Sequence, residues 1–330
     1  MVTQRMIAEK AGVSFSTVSR AFTHSSNVKP EMMRRIRAAM TELGVSSTDD
    51  IFLGRSALSK MVLVVVGSIA NEFFANIIVG ISDRLKAEGY SIVLCNSDYD
   101  TEREICELKK AEDDGYAGVI MVTVLETEQM LAFLPELKIP VILVNRYIRS
   151  LDLDIIRIDN YRGGYLAAQC LVDYGHKRIA HLSGPKNSSA PHDRLRGFTA
   201  ALQDCGIPFG EKDIVYGDLS RESGKQFASW VAQRNYTAIY IGNDYMTAGA
   251  VAQFAKLNIH VPKDISIICF DDSPLVNRDS LNITSVSCDP KMMGCSAADI
   301  LTKRISDPLG QHCRVIYSPK IIFRDSIARL

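Results

Sequence analysis

The chain has 330 residues, 47% of them hydrophobic and 23% charged, with 38 Lys and Arg against 38 Asp and Glu. That length suits two or three compact units, and that composition suits a globular protein able to bury a large core. The neutral total hides a skew. Residues 1–60 hold nine Lys and Arg against five Asp and Glu, leaving the remainder net acidic by four, as expected of a phosphate-facing leader on an acidic body. The opening residues lack the apolar core of a secretion signal, and no stretch reaches the length of a membrane span. Eight cysteines lie far apart with no Cys-x-x-Cys pair. They read as buried free thiols of a cytoplasmic protein, against a disulfide frame or a zinc site.

Thr3 to Phe22 carries two short helical patterns about a glycine. Met6, Ile7, Ala8 and Ala11 put apolar groups on one face of a helix that Thr3 caps. Gly12 supplies a turn, and Ser14 caps a second helix running to about Phe22. Val13 and Val18 face inward. Phe15, Ser16, Thr17, Ser19 and Arg20 face outward, a set suited to bases and phosphates. Periodicity alone fits an ordinary helical hairpin as well as a helix-turn-helix, whose second helix enters the DNA major groove. Thr23 to Lys29 is a polar loop. From Pro30 a third helix carries Met33, Ile36, Met40 and Leu43 as its apolar stripe.

The literal string Val-Thr-x-x-x-Ile-Ala-x-x-Ala-Gly-Val-Ser-x-Ser-Thr-Val-Ser-Arg, residues 2–20, resembles the headpiece of the lactose-repressor (LacI) family of transcription regulators. The resemblance continues through Val28, Pro30, Ile36 and Glu42-Leu43-Gly44. It implies a DNA-binding headpiece over residues 1–45, with Phe15, Ser16 and Arg20 as base readers. Thr3, Ser14, Thr17 and Ser19 suit phosphate contact, helix capping being the alternative for each hydroxyl. A guanidinium at Arg20 forks onto guanine O6 and N7, while Phe15 has no donor and presses on a thymine methyl or a sugar edge. The linker, 46–60, departs from the family's Gly-Tyr-x-Pro-Asn-x-x-Ala-Arg-x-Leu. Asp49 and Asp50 oppose phosphate, and Leu53 or Leu58 is left as the candidate minor-groove wedge.

From Met61 the texture changes. Val62–Val66 is a continuous apolar run, the mark of a strand buried on both faces of a parallel sheet. A helix with Ile77, Ile78, Ile81 and Leu85 on one face follows. Strands then alternate with helices through Val141–Val144, and the rhythm restarts at Gly163 and runs to a strand over Ser266–Phe270. The fold class expected is α/β, a helix-turn-helix headpiece plus two doubly wound lobes over 61–330, switching near residues 160 and 290. Ligands in such open sheets sit beyond the strands' carboxyl ends.

This region also resembles the family's effector domain, which is similar to periplasmic sugar-binding proteins, through Asn71-Glu-Phe-Phe74, Gly175-His-Lys-Arg-Ile-Ala180, Arg194-Leu-Arg-Gly-Phe198, Asn243-Asp-Tyr-Met246 and Phe270-Asp-Asp272. The resemblance implies effector contacts at Arg194, Asn243 and Asp271, with Asn145 near another strand end. An arginine fork and a carboxylate are what a polyhydroxyl solute requires; the alternative is an internal salt bridge tying loops together. Of Phe73 and Phe74, one is expected to stack on a ligand and the other to join the core. Leu219 stands where sugar-binding members often carry an aromatic platform, and Cys288 where several carry Gln.

Three function classes compete. An enzyme would be expected to show a Gly-x-Gly-x-x-Gly, a phosphate loop or a Gly-x-Ser-x-Gly, and none is present. A plain solute-binding protein fits the body but not the head. A solute-responsive DNA-binding regulator fits both. The family implies a homodimer on a roughly palindromic operator, a repressor controlled by a sugar-like effector, with no cofactor, metal or membrane.

Overall fold

The computed structural model describes residues 4–14, 17, 18, 21, 29–43, 60–277, 282–308 and 310–330. Thr3, Phe15, Ser16, Ser19, Arg20 and linker positions 46–59, Leu53 and Leu58 among them, lie outside the described residues. Two units separate, Met1–Met61 with Asp113–Ala117 and Val62–Glu112 with Gly118–Leu330.

In the first unit, α1 (Gln4–Ala11) and α2 (Pro30–Glu42) accompany the helical residues Thr17, Val18 and Ala21. Ile7, Ala8, Ala11, Val18, Ala21, Ile36, Ala39 and Met40 form the core, with Val13, Met33 and Leu43 half-buried against it. Met6 departs from the sequence expectation and is exposed. At 100° per residue, Ile7, Ala8 and Ala11 share one face, and Met6 lies well round the helix from it. Gly12 turns the chain with φ +62, and its carbonyl accepts from Arg35 Nη2 at 3.2 Å. The second helix begins as Ser14 leads one to expect: Ser14 Oγ accepts from the Thr17 amide at 3.2 Å and meets Thr17 Oγ1 at 2.7 Å.

The second unit holds two six-stranded sheets. One uses β1 (Met61–Val66), β2 (Ser91–Asn96), β3 (Gly118–Met121), β4 (Val141–Val144), β5 (Asp154–Ile158) and β11 (Arg314–Tyr317), in the order β11-β5-β4-β3-β1-β2. The other uses β6 (Ile179–Ser183), β7 (Ile214–Tyr216), β8 (Ala238–Ile241), β9 (Ser266–Phe270), β10 (Thr284–Ser287) and β12 (Lys320–Ile322), in the order β12-β10-β9-β8-β6-β7. β12 runs antiparallel to β10, while β6, β7, β8, β9 and β10 pair in parallel. The central strands are apolar because helices cover both faces. Val62, Val64–Val66, Val119–Met121 and Ile142–Val144 are fully buried, as are Ile239, Ile241 and Ile267–Phe270.

The helices are α3 (Glu72–Ala87), α4 (Thr101–Asp113), α5 (Glu128–Phe133), α6 (Asn160–Asp173), α7 (Ser189–Asp204), α8 (Arg221–Val231), α9 (Asp244–Lys256) and α10 (Pro290–Ser306). Three pairs pack tightly: α6 on α7, α8 on α9 and α3 on α10. Glycines face backbone at each contact. A Cβ on Gly164 would lie 1.9 Å from the Arg194 carbonyl, one on Gly224 1.9 Å from that of Met246, and one on Gly294 2.0 Å from that of Ile77. The strand–helix rhythm does not simply run twice. The chain crosses between lobes near 159, 288 and 318, so that α10 and β11 complete the N-terminal lobe after most of the C-terminal lobe has been built.

A smaller expectation changes: all eight cysteines are free, but Cys106 and Cys205 are exposed, because each lies toward the solvent side of its helix or at its end. Among the described residues no helix is long and apolar enough to cross a membrane.

Candidate solute-binding cleft

The segments that follow the carboxyl ends of β1, β2, β4, β6, β7, β8 and β9 reach one cleft between the lobes. After β1, Asn71 caps α3 by accepting from the Phe73 amide at 2.9 Å, which sets Phe73 and Phe74 in the first turn. After β2 comes Tyr99, after β4 Asn145 and Arg146, and after β6 the start of α7 with Ala190, Pro191 and Arg194. Leu219 follows β7, Asn243 follows β8 and Asp271 follows β9. All of these residues line the same cleft, which leaves about 20 Å³ between the side chains, the space of about one water molecule. Tyr99, Asn145, Leu219 and Asp271 have φ of +62, +66, +71 and +99. Left-handed backbone at non-glycine positions costs about 1–3 kcal/mol each and concentrates at functional sites.

Arg194 is the hub of the C-terminal wall. Its Nε donates to Asn160 Oδ1 at 2.8 Å, its Nη1 donates to the Gly242 carbonyl, and its Nη2 reaches Asp271 Oδ1 at 3.4 Å. The guanidinium lies 3.4 Å from the centroid of the Phe270 ring, a cation–π contact strengthened by desolvation. Under it His181, Phe198 and Tyr240 stack with centroids 4.5–5.4 Å apart. Asp271 is buried, which raises its pKa against the opposing pull of Arg194 and Arg146. Next to it, burial and then the Asp271 charge push Asp244 up to about 8. Asp244 accepts from the Ser273 amide and lies 3.4 Å from Cys269 Sγ. Asp272 binds Ser285, Asn277 and Arg324 and braces the same loop.

The structure brings Phe73, Phe74, Asn145, Arg194, Leu219, Asn243 and Asp271 to one wall or another of the cleft. Several have structural partners there. Phe73 and Phe74 are both buried, meet edge to face at 5.7 Å and both line the cleft. Asn243 caps α9 by accepting from the Met246 amide at 2.9 Å, and Arg194 carries the internal ion pair. Cys288 lies instead in an adjoining pocket of about 410 Å³ that shares Phe73 and Asp271, and burial pushes its thiol up to about 12. Sequence reasoning passed over Asn71, Tyr99, Arg146, Ala190 and Pro191. Arg146 had the plainest signal, an arginine two residues beyond the fully apolar β4.

Several hydrogen bonds span the lobes around the cleft, Arg149 Nη2 with His192 Nδ1 at 2.6 Å among them. Tyr245 Oη donates to the Ala70 carbonyl at 2.6 Å and the Glu126 amide to the Asn187 carbonyl at 3.2 Å. Tyr147 donates through its amide to Ser189 Oγ at 2.9 Å and through its hydroxyl to Asp193 at 2.7 Å.

A two-lobed α/β body with polar groups converging on an inter-lobe cleft, together with a helix-turn-helix head, defines a regulator that binds DNA. Residues 5–46 match the model described as bacterial regulatory proteins, lacI family, and residues 168–327 match the periplasmic binding protein-like domain. The chain is similar to the HTH-type transcriptional regulator DegA of Bacillus subtilis, 27% identical over 98% of this chain and 97% of DegA. It is 28% identical to the HTH-type transcriptional repressor PurR of Edwardsiella ictaluri, over 99% of this chain and 97% of PurR. The solved complex of the transcriptional regulator CelR with cellobiose superposes with a TM-score of 0.76 at 26% identity, covering 99% of this chain and all of that one. The chain thus carries a lacI-family helix-turn-helix domain and a periplasmic binding protein-like domain, and it is a DNA-binding transcriptional regulator.

Proposed function

We propose that the protein is a repressor that acts as a homodimer on a roughly palindromic operator, and that a small hydroxylated solute held between the lobes controls its occupancy of that operator. The observation that carries this reading is the convergence of strand ends from both lobes on one cleft lined by Asn145, Arg146, Arg194, Asn243 and Asp271. A solute that contacts both lobes favours one lobe arrangement over another by the difference in its affinity for the two, and that difference is what reaches the heads. The cellobiose of the CelR complex and the repressor function of PurR support the reading by likeness. For self-association, the outer face of α9 offers a groove of about 630 Å³ lined by Ala248, Val251, Ala252 and Ile259, with Leu257 exposed beside it.

On the head, Thr3, Ser14, Phe15, Ser16, Thr17, Ser19 and Arg20 form the proposed DNA interface. Arg20 is the one long forked donor among them, so Arg20→Ala relaxes selection at one G·C pair per half-site by about 1–3 kcal/mol. Selection from a random oligonucleotide pool followed by gel shift measures this for wild type and variant. An unchanged base preference overturns the assignment. Repeating the gel shift with neutral sugars, sugar acids and nucleosides tests whether cleft ligands alter operator binding.

A further inference from the structure

Two polar atoms of the cleft wall are buried without a hydrogen-bond partner in the protein, and they belong to consecutive residues: Asn145 Oδ1, an acceptor, and Arg146 Nη1, a donor. Arg146 is only 2% exposed. Its guanidinium lies 5.2 Å from the centroid of the Tyr99 ring, and among the described residues no ion pair joins it to a carboxylate. Asp271 is paired with Arg194. Glu104, whose charge also reaches Arg146, accepts from Ser97 Oγ at 2.9 Å. The like charge of Arg194 acts against it. The cleft lining thus holds two guanidinium groups and one carboxylate, with one cation left over.

A buried charge without a counter-ion costs several kcal/mol, and a neutral hydroxyl does not remove that penalty whereas an anion does. The unpartnered acceptor of Asn145 sets the second requirement, a donor close to that anion. We infer that the solute of this cleft is a hydroxy-carboxylate, a sugar acid and not a neutral sugar, with its carboxylate on Arg146 and an adjacent hydroxyl donating to Asn145 Oδ1. A single carboxylate matches the single excess cation. A phosphate dianion leaves a negative charge unmatched, and a neutral sugar leaves the guanidinium unpaired. This inference rests on the reading of the cleft as the solute site.

The test uses the full-length protein and four probes, D-gluconate, D-glucuronate, D-glucose 6-phosphate and D-glucose, followed by calorimetric titration and thermal melting. At least one of the two acids is expected to bind about tenfold or more tighter than D-glucose. Arg146→Met, which keeps the apolar stem, removes the preference, and Arg146→Lys keeps part of it. Arg146→Met is also expected to melt higher than wild type without any probe, since an unpaired buried charge is gone; a residue that merely braced the fold would melt lower. D-Glucose binding as well as the acids, or a lower melting point for Arg146→Met, overturns the inference and leaves the cleft reading standing. Binding of D-glucose 6-phosphate alone overturns the carboxylate assignment. Silence toward all four probes overturns the cleft reading itself.

Discussion

Glu104 is a carboxylate that burial holds back from ionising. It is 2% exposed, and desolvation raises it from 4.5 to about 7 against the opposing help of Ser97 and Arg146. The folded protein therefore keeps this proton to higher pH than the unfolded chain does. Its contribution to stability is complete below about pH 4.5 and is lost as pH rises through about 7. Glu104→Gln, an amide that never ionises, should match wild type near pH 4 and exceed it at pH 8 by up to about 3 kcal/mol. Urea unfolding at both pH values measures this, and an equal difference at both contradicts it. The same scale shows how far single residues were legible. Arg194, Asn243 and Asp271 stood out because the family resemblance implies an effector contact at each, and Asn243 and Asp271 also lie just past strands with apolar runs. The resemblance does not reveal that Arg194 would also bind Asn160, Gly242 and Phe270, since those partners come from other parts of the chain, whereas the cap that Asn243 makes on α9 is local, with the Met246 amide three residues on. Arg146 was not singled out, because an arginine after a strand ordinarily reaches water; here the Tyr99 loop closes over it.

Among the elements, the strands visible in the sequence are those with uninterrupted apolar runs, and Val141–Val144 and Ser266–Phe270 have the bounds expected of them. β10 reads Thr-Ser-Val-Ser and gives no such signal, yet it is buried throughout. Its hydroxyls are satisfied by tertiary partners, Thr284 with the Arg324 backbone, Ser285 with Asp272 and Ser287 with the Asp271 carbonyl. β5 hides likewise behind Asp154, whose carboxylate is held by Arg304 at 2.8 and 3.0 Å. Helix pairing has its own rule in this protein. A Cβ on Gly197 would sit 1.9 Å from the Tyr161 carbonyl, while one on Gly210 would meet nothing within 4 Å. Gly197→Ala should therefore destabilise by about 3 kcal/mol through overpacking of α6 on α7, and Gly210→Ala by less than about 0.5. Chemical denaturation compares the two. Because α7 also carries Arg194, Gly197→Ala disturbs the cleft wall as well, and comparable midpoints for the two variants would remove the argument.

For the whole effector unit, the lobes are latched across the cleft by few bonds, and that sets how readily the cleft opens. Tyr245→Phe deletes the hydroxyl that reaches the Ala70 carbonyl while keeping the ring. One such bond contributes about 0.5–1.5 kcal/mol, so a solute that needs the closed arrangement should bind about two- to tenfold more weakly to the variant, with folding stability near wild type. Titration with whichever probe the wild type binds measures it, and unchanged affinity means this latch plays no part. The three lobe crossings near 159, 288 and 318 bear on synthesis as well as on motion. During translation, residues 61–158 emerge first but lack α10, whose fully buried Leu301 would meet a Cβ on Gly118 at 2.7 Å, and lack β11, which pairs with β5. The lobe that begins first is thus finished only after residue 317 has left the ribosome. A nascent chain halted at residue 280 should display an unfinished, protease-sensitive first lobe, making this a protein whose amino-terminal half waits on its carboxyl-terminal half to fold.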